Sequence, residues 1–229
     1  MTDAGAEPDL RPPTLVAAIL GAPRLAFEHA FPLLVANTVL GLIVAVYVVL
    51  LVGIPALIVA IPLLALPTAA LTRLAVAAAR LGVPTLAMAR AELGRLPLRK
   101  LVLAVVQVLV FAISVTNIGL AGEIGGLPGL MSGGVAIYAV VGTAIYAMAL
   151  WPIVCDPRRA GPLREQLRLA LLLTVRRPLQ LALLALIAGA AAVASIQILV
   201  LAFFLPVLVV LAIAGYVVPA ADELAPPAM

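Results

Sequence analysis

Charge is what this sequence has least of: 10% of its 229 residues are Asp, Glu, Lys or Arg, against 66% apolar residues. A soluble domain carries nearer a quarter charged and about half apolar, so water could not solvate this chain as a globule. Cysteine is nearly absent too. Cys155 stands alone, which excludes an intrachain disulfide and a cysteine zinc cluster. The single histidine, His29, excludes a multi-histidine metal site and leaves a catalytic triad little material. Aromatics are 4% and Lys100 is the only lysine among the 14 basic residues. No interleaving of aromatic and basic residues marks a nucleic-acid surface, so no nucleic-acid partner is expected. The first residues, Met1-Thr-Asp-Ala-Gly-Ala-Glu-Pro-Asp9, are acidic, and no basic stretch followed by an apolar one suggests a cleavable signal peptide.

What is present is long uncharged blocks. Between Glu28 and Arg73 lie 44 residues, and between Arg177 and Asp222 another 44. Between Lys100 and Asp156 lie 55, interrupted only by Glu123. A helix of 44 residues is about 66 Å long, and a spanning helix needs about 20 residues. Each block therefore reads as a hairpin crossing a bilayer twice. A central Arg or Lys costs about 2.5–3.5 kcal/mol in a spanning helix, and every basic residue lies outside these blocks. Gly53 and Pro55 break the first block, and residues 199–202 divide the last. A glycine-rich turn over residues 121–132 divides the middle one. The expected spans are 32–52, 54–71, 101–120, 133–154, 178–198 and 203–219. They form one transmembrane domain over residues 29–221, between tails at 1–28 and 222–229.

The basic residues predict the orientation. Arg73, Arg80, Arg90, Arg95, Arg99 and Lys100 lie between the first and second hairpins. Arg158, Arg159, Arg164, Arg168, Arg176 and Arg177 lie between the second and third. The hairpin turns have none. The positive-inside rule puts both loops and both termini in the cytoplasm, and the Arg, Ala, Leu and Val bias suggests a bacterial inner membrane. Residues 14–30, 68–81 and 163–175 read as interfacial amphipathic helices, Arg toward the headgroups and apolar side in the acyl boundary. Arg80, Arg90, Arg164 and Arg168 are the candidates for partner or headgroup contact.

Pro32-Leu33, Pro97-Leu98 and Pro178-Leu179 open the three hairpins, and Pro67, Pro152 and Pro219 lie near their ends. Either these are independent helix-start signals or the hairpin is triplicated, as in many transporters. No Walker lysine loop, His-Glu-x-x-His pair or Gly-x-Ser-x-Gly elbow occurs, so neither enzymatic activity nor a cofactor is expected. Glu123 reads as a solvated turn carboxylate, and Glu28 with His29 as an interfacial anchor. Trp151 and the four tyrosines read in part as interfacial markers. Residues 188–195, Ala-Gly-Ala-Ala-Ala-Val-Ala-Ser, read as a helix-packing face. Asn37, Gln107, Asn117 and Gln197 are the residues a polar path through the bundle would use.

Two resemblances follow from particular segments. Pro67-Thr-Ala-Ala-Leu-Thr-Arg-Leu74, Trp151-Pro-Ile-Val-Cys-Asp-Pro157 and Leu163-Arg-Glu-Gln-Leu-Arg-Leu-Ala170 before Arg176-Arg-Pro178 together resemble the YesL-like family of small bacterial membrane proteins. The similarity covers residues 28–220, although this chain is richer in Ala and poorer in aromatics. It implies a compact bundle without an assigned catalytic residue, often encoded beside carbohydrate uptake systems. Ala77-Ala-Ala-Arg-Leu-Gly82 followed by Arg95-Leu-Pro97 is similar to the coupling loop of ABC-importer permeases, but lacks its glutamate.

The expectation is therefore an all-α polytopic bundle of six spans in three hairpins, with amphipathic cytoplasmic helices. Its expected role is a non-enzymatic accessory or regulatory one, docking a transport complex through Arg-bearing loops. The partners would be the bilayer and subunits of an ABC transporter, with a homo-oligomer left open. The alternative is a transporter or channel in its own right.

Overall fold

The computed structural model describes residues 14–80, 82–197 and 204–225. Among them are nine α-helices: α1 Leu15–Glu28, α2 Ala30–Gly53, α3 Ala65–Ala79, α4 Leu86–Gly94, α5 Pro97–Ile124, α6 Gly126–Cys155, α7 Leu163–Arg176, α8 Pro178–Gln197 and α9 Leu205–Leu224. Six stretches are long and apolar enough to cross a membrane: 30–51, 58–79, 97–124, 126–155, 178–195 and 205–224. The fold is thus all-α with three helical hairpins, as charge spacing predicts. Proline opens the hairpins as expected: Pro97 and Pro178 stand first in α5 and α8, and Pro32 lies in the first turn of α2. The missing N–H there would have no intrahelical partner anyway.

The boundaries differ in instructive ways. The second span is not a helix over 54–71. A 3₁₀ stretch covers Pro55–Leu64, and α-helix begins only at Ala65. Pro55 and Pro62 explain the delay, because a proline inside an α-helix removes a hydrogen bond and clashes with the preceding turn. The span then runs to Ala79, so the expected interfacial helix over 68–81 does not exist separately. It is the buried half of a crossing. Pro67 accordingly sits at the start of α3 rather than at its end, and Pro152 and Pro219 lie inside α6 and α9.

The 12-residue turn expected at 121–132 shrinks to a reversal at Gly125. Gly125 and Gly126 have φ of 65° and 58°, a left-handed conformation that costs glycine little. Both helices extend into the remaining residues. A Cβ on Gly129 would lie 2.5 Å from the Ala121 carbonyl oxygen, so this glycine serves helix approach rather than the turn. The predicted break at 199–202 lies outside the described residues.

In each hairpin the returning helix is the more buried one. Of the span windows, 56% is buried in α9 and 39% in the second span ending with α3, against 11% in both α2 and α8. The core is alanine-rich. Ala70, Ala75 and Ala78 of α3 meet Ala212, Ala214, Ala220 and Ala221 of α9 in one cluster with Leu150 and Ile153 of α6. In lipid no hydrophobic force separates helix contacts from lipid contacts, and small residues allow close backbone approach. The packing face expected at 188–195 is instead exposed or half-buried, and α8 buries Leu181 and Leu184 in its first turns.

Helix α1 also departs from expectation. It does not lie apart as an interfacial helix but runs antiparallel along α9, with Ala18 beside Gly215 and its later residues Pro23 and Ala26 sharing a groove with Phe204, Val207 and Leu208. Thr14 caps it, accepting a bond from Ala17 N at 3.2 Å. Its other side exposes Val16, Leu20 and Phe27. By contrast α7 is a separate helix at the expected residues, Leu163–Arg176. It buries Gln166, Leu169, Ala170 and Leu173 and exposes Arg164, Arg168, Leu171, Leu172 and Val175.

Candidate functional site

The three inner helices converge at one end of the bundle, the basic end, and carry complementary charges there. Arg80 follows α3, Asp156 follows α6, and Asp222 lies in the last turn of α9. The Arg80 Nε donates to both Asp156 carboxylate oxygens at 3.2 and 3.1 Å, and its Nη2 also donates to Asp156 Oδ2. Its Nη1 and Nη2 reach Asp222 at 2.9 and 3.1 Å. One guanidinium thus joins the ends of all three hairpins. Planar, multiply donating Arg suits this better than Lys. Arg159 completes the clamp, donating to Asp222 Oδ1 at 2.5 Å and to the Ala225 carbonyl at 2.7 Å. Asp156 also accepts from Arg158 N at 3.1 Å, capping the 3₁₀ turn Pro157–Arg159. Burial alone would push the Arg80 guanidinium pKa down, but its bonds to Asp156 and Asp222 outweigh this and raise it. It therefore stays charged.

A second group lies between α4, the start of α5, and α7. Glu92 and Lys100 have only 2% of their side chains exposed and pair at 2.8 Å. Lys100 Nζ also donates to the Glu92 carbonyl at 2.6 Å, and Arg95 lies 3.4 Å from the Glu92 carboxylate. Arg99 donates to the Gly161 carbonyl at 3.2 Å, and Gln166 Nε2 to the Arg159 carbonyl at 2.6 Å. The Arg99–Gly161 bond ties the two basic loops to each other, and the Gln166–Arg159 bond braces the second loop internally. Nearby, Arg177 pairs with Glu223 at 2.5 Å and lies over the Tyr216 ring.

The residues singled out from sequence divide accordingly. Arg80 is not an outward contact: its side chain is 11% exposed and spent within the fold. Arg90, Arg164 and Arg168 are exposed and form no ion pair among the described residues. Asn37 is buried, Gln107 accepts from Trp151 Nε1 at 3.1 Å, and Asn117 and Gln197 are exposed. Asn117 faces a groove shared with Ser114 and Ser132 on the α5–α6 hairpin. Glu123 is exposed, and Glu28 bonds Arg24 at 2.7 Å while His29 forms the joint between α1 and α2. Tyr216 belongs to the core, not to an interfacial belt. The pairings of Asp156, Asp222, Glu92 and Lys100 were missed. The available signal was that lone acids sat at the boundary bearing most of the arginines, where a carboxylate at the edge of lipid requires a cation.

The class is therefore a multi-pass α-helical membrane protein, its hairpins tied at one end by ion pairs. No family model matches the chain, and no curated protein or solved structure is detectably similar to it.

Proposed function

We propose that this protein is a non-enzymatic accessory or regulatory membrane protein that docks a transport complex through its basic end. The observation carrying this reading is how charge is divided there. Glu92, Asp156, Asp222 and Glu223 are all engaged by cations within the fold. Arg90, Arg158, Arg164, Arg168 and Arg176 remain exposed. The acids hold the bundle, and the surplus cations form an outward surface suited to carboxylates. Glu92 of α4 and Gln166 of α7 line one pocket, and Arg90 and Arg164, two residues from them, lie on the exposed sides of the same two helices. The resemblance to the YesL-like family, resting on its three segments, points to carbohydrate uptake. The positive-inside rule supports a cytoplasmic placement for this face. A transporter in its own right is the second reading, its candidate path residues being buried Asn37, Gln107 bonded to Trp151, and exposed Asn117 and Gln197.

The test is mild-detergent purification followed by mass spectrometry of co-eluting chains. A stoichiometric transporter subunit retained by the native protein and lost from Arg164→Glu/Arg168→Glu, with unchanged melting, supports docking. Retention by the double variant overturns it. A native protein that elutes alone and shows reconstituted flux would favour the transporter.

A further inference from the structure

We propose that the small cavity between α4, the start of α5, and α7 holds one buried water, which donates to Glu92 Oε1 and to Gln166 Oε1 and so joins α4 to α7. The inference is independent of docking, because it concerns the inside of the basic end rather than its outer face. Glu92 lies in the last turn of α4 and Gln166 in the first turn of α7. Both are nearly inaccessible, at 2% and 4% exposure, and both line this cavity. Glu92 Oε1 and Gln166 Oε1 are each buried without a hydrogen-bond partner. An unpaired buried acceptor is costly, and native structures nearly always supply it with a donor.

Neither oxygen gains that donor by turning. The Gln166 Nε2 donates to the Arg159 carbonyl at 2.6 Å, which fixes the amide orientation and leaves Oε1 to the cavity. Glu92 is held by Lys100, whose Nζ donates to the Glu92 carbonyl at 2.6 Å. The same ammonium lies 2.8 Å from Glu92 Oε1 as an ion pair, off the direction of a hydrogen bond. Leu96 is the only described non-glycine residue at positive φ, and it turns the chain so that Glu92 before it and Lys100 after it meet.

Size and charge select the occupant. The cavity volume is about 10 Å³, close to the least that admits a single water. Arg95, Arg99 and Lys100 on its wall repel a metal ion, while the Glu92 carboxylate and the small volume exclude an anion. Water brings two donors for the two acceptors, and its lone pairs can accept from the N–H groups of the three cations. Such a water would be a second tie between the basic loops, beside the Arg99–Gly161 bond.

The experiment uses the full chain in detergent micelles with ¹⁵N-labelled glutamine, whose side-chain amide protons report a neighbouring water by cross-relaxation. The Gln166 amide should show cross-relaxation with a water that tumbles with the protein. Val154 also lines the cavity, and Val154→Ile adds one methylene to its wall. That variant should abolish the signal and lower the folded-to-unfolded ratio about tenfold, the scale of leaving buried acceptors unpaired. A methylene entering a dry cavity would instead leave melting unchanged or raise it. Arg164→Glu/Arg168→Glu should keep the signal, which separates this site from docking. Should Val154→Ile fail to fold, the wild-type signal decides. No cross-relaxation in the wild type, a signal undiminished by Val154→Ile, or melting unchanged or raised in that variant would overturn the proposal.

Discussion

Within each hairpin the two crossings face different surroundings. The entering helices α2, α5 and α8 turn most of their surface outward, while the returning helices α3, α6 and α9 pack on one another. Outer Val49 is 72% exposed, whereas Leu74 and Leu211 on inner helices are fully buried. Both kinds of helix read as uninterrupted apolar sequence. Hydrophobicity therefore locates a crossing without saying whether lipid or protein covers it. At the basic end the inner helices are distinguished by pairing with one another: Arg80, Asp156 and Asp222 all lie at inner-helix ends and form one clamp.

That contrast can be broken experimentally. Asp156→Leu removes a nearly inaccessible carboxylate and leaves Arg80 under-compensated, and loss of one partner of a buried pair costs about 3–5 kcal/mol. Unfolding in detergent should show the loss, and an unchanged midpoint would mean that the clamp contributes nothing. Leu74→Ala on α3 should cost about 2–5 kcal/mol as a core truncation, with Val49→Ala on α2 within about 0.5 kcal/mol. Equal effects would erase the inner–outer distinction. Gly129→Ala should cost about 1–3 kcal/mol, because its methyl meets a backbone oxygen rather than a flexible side chain. Smallest of all, Gly122→Ala should be neutral or stabilising by up to about 1 kcal/mol, since nothing lies within 4 Å of the added atom. Melting curves of the two glycine variants recorded side by side would sharpen the contrast, and a shared shift would refute it.

The sequence carried the crossings because charge burial in lipid is costly enough to clear whole blocks of residues. It carried helix starts because proline has few acceptable positions in a crossing. It did not carry the true ends. Gly125 closes a turn that seemed to need twelve residues, and the 3₁₀ stretch before α3 depends on two prolines acting together. Nor did it carry the clamp. Arg80 is separated by 76 residues from Asp156 and by 142 from Asp222, and no local pattern encodes such pairs. Arg80 looked like an outward cation because Arg73 shares its helical face. Half-buried Arg73 and nearly enclosed Arg80 show that a face defined by spacing need not be a surface. The exposed side of α7 was legible, because Arg164 and Arg168 one turn apart precede a leucine-rich stretch.

The clamp also imposes a timetable on synthesis. Arg80 emerges from the ribosome long before either carboxylate that will hold it. At roughly 5–20 residues per second, the 76 residues to Asp156 take about 4–15 seconds and the 142 to Asp222 about 7–28 seconds. Throughout that interval the first hairpin must keep a cation at the bilayer edge with only water and headgroups for company. The molecule can lock only after its last helix has arrived, so a nascent chain stalled before the third hairpin announces its incompleteness through an arginine still waiting for its second acid.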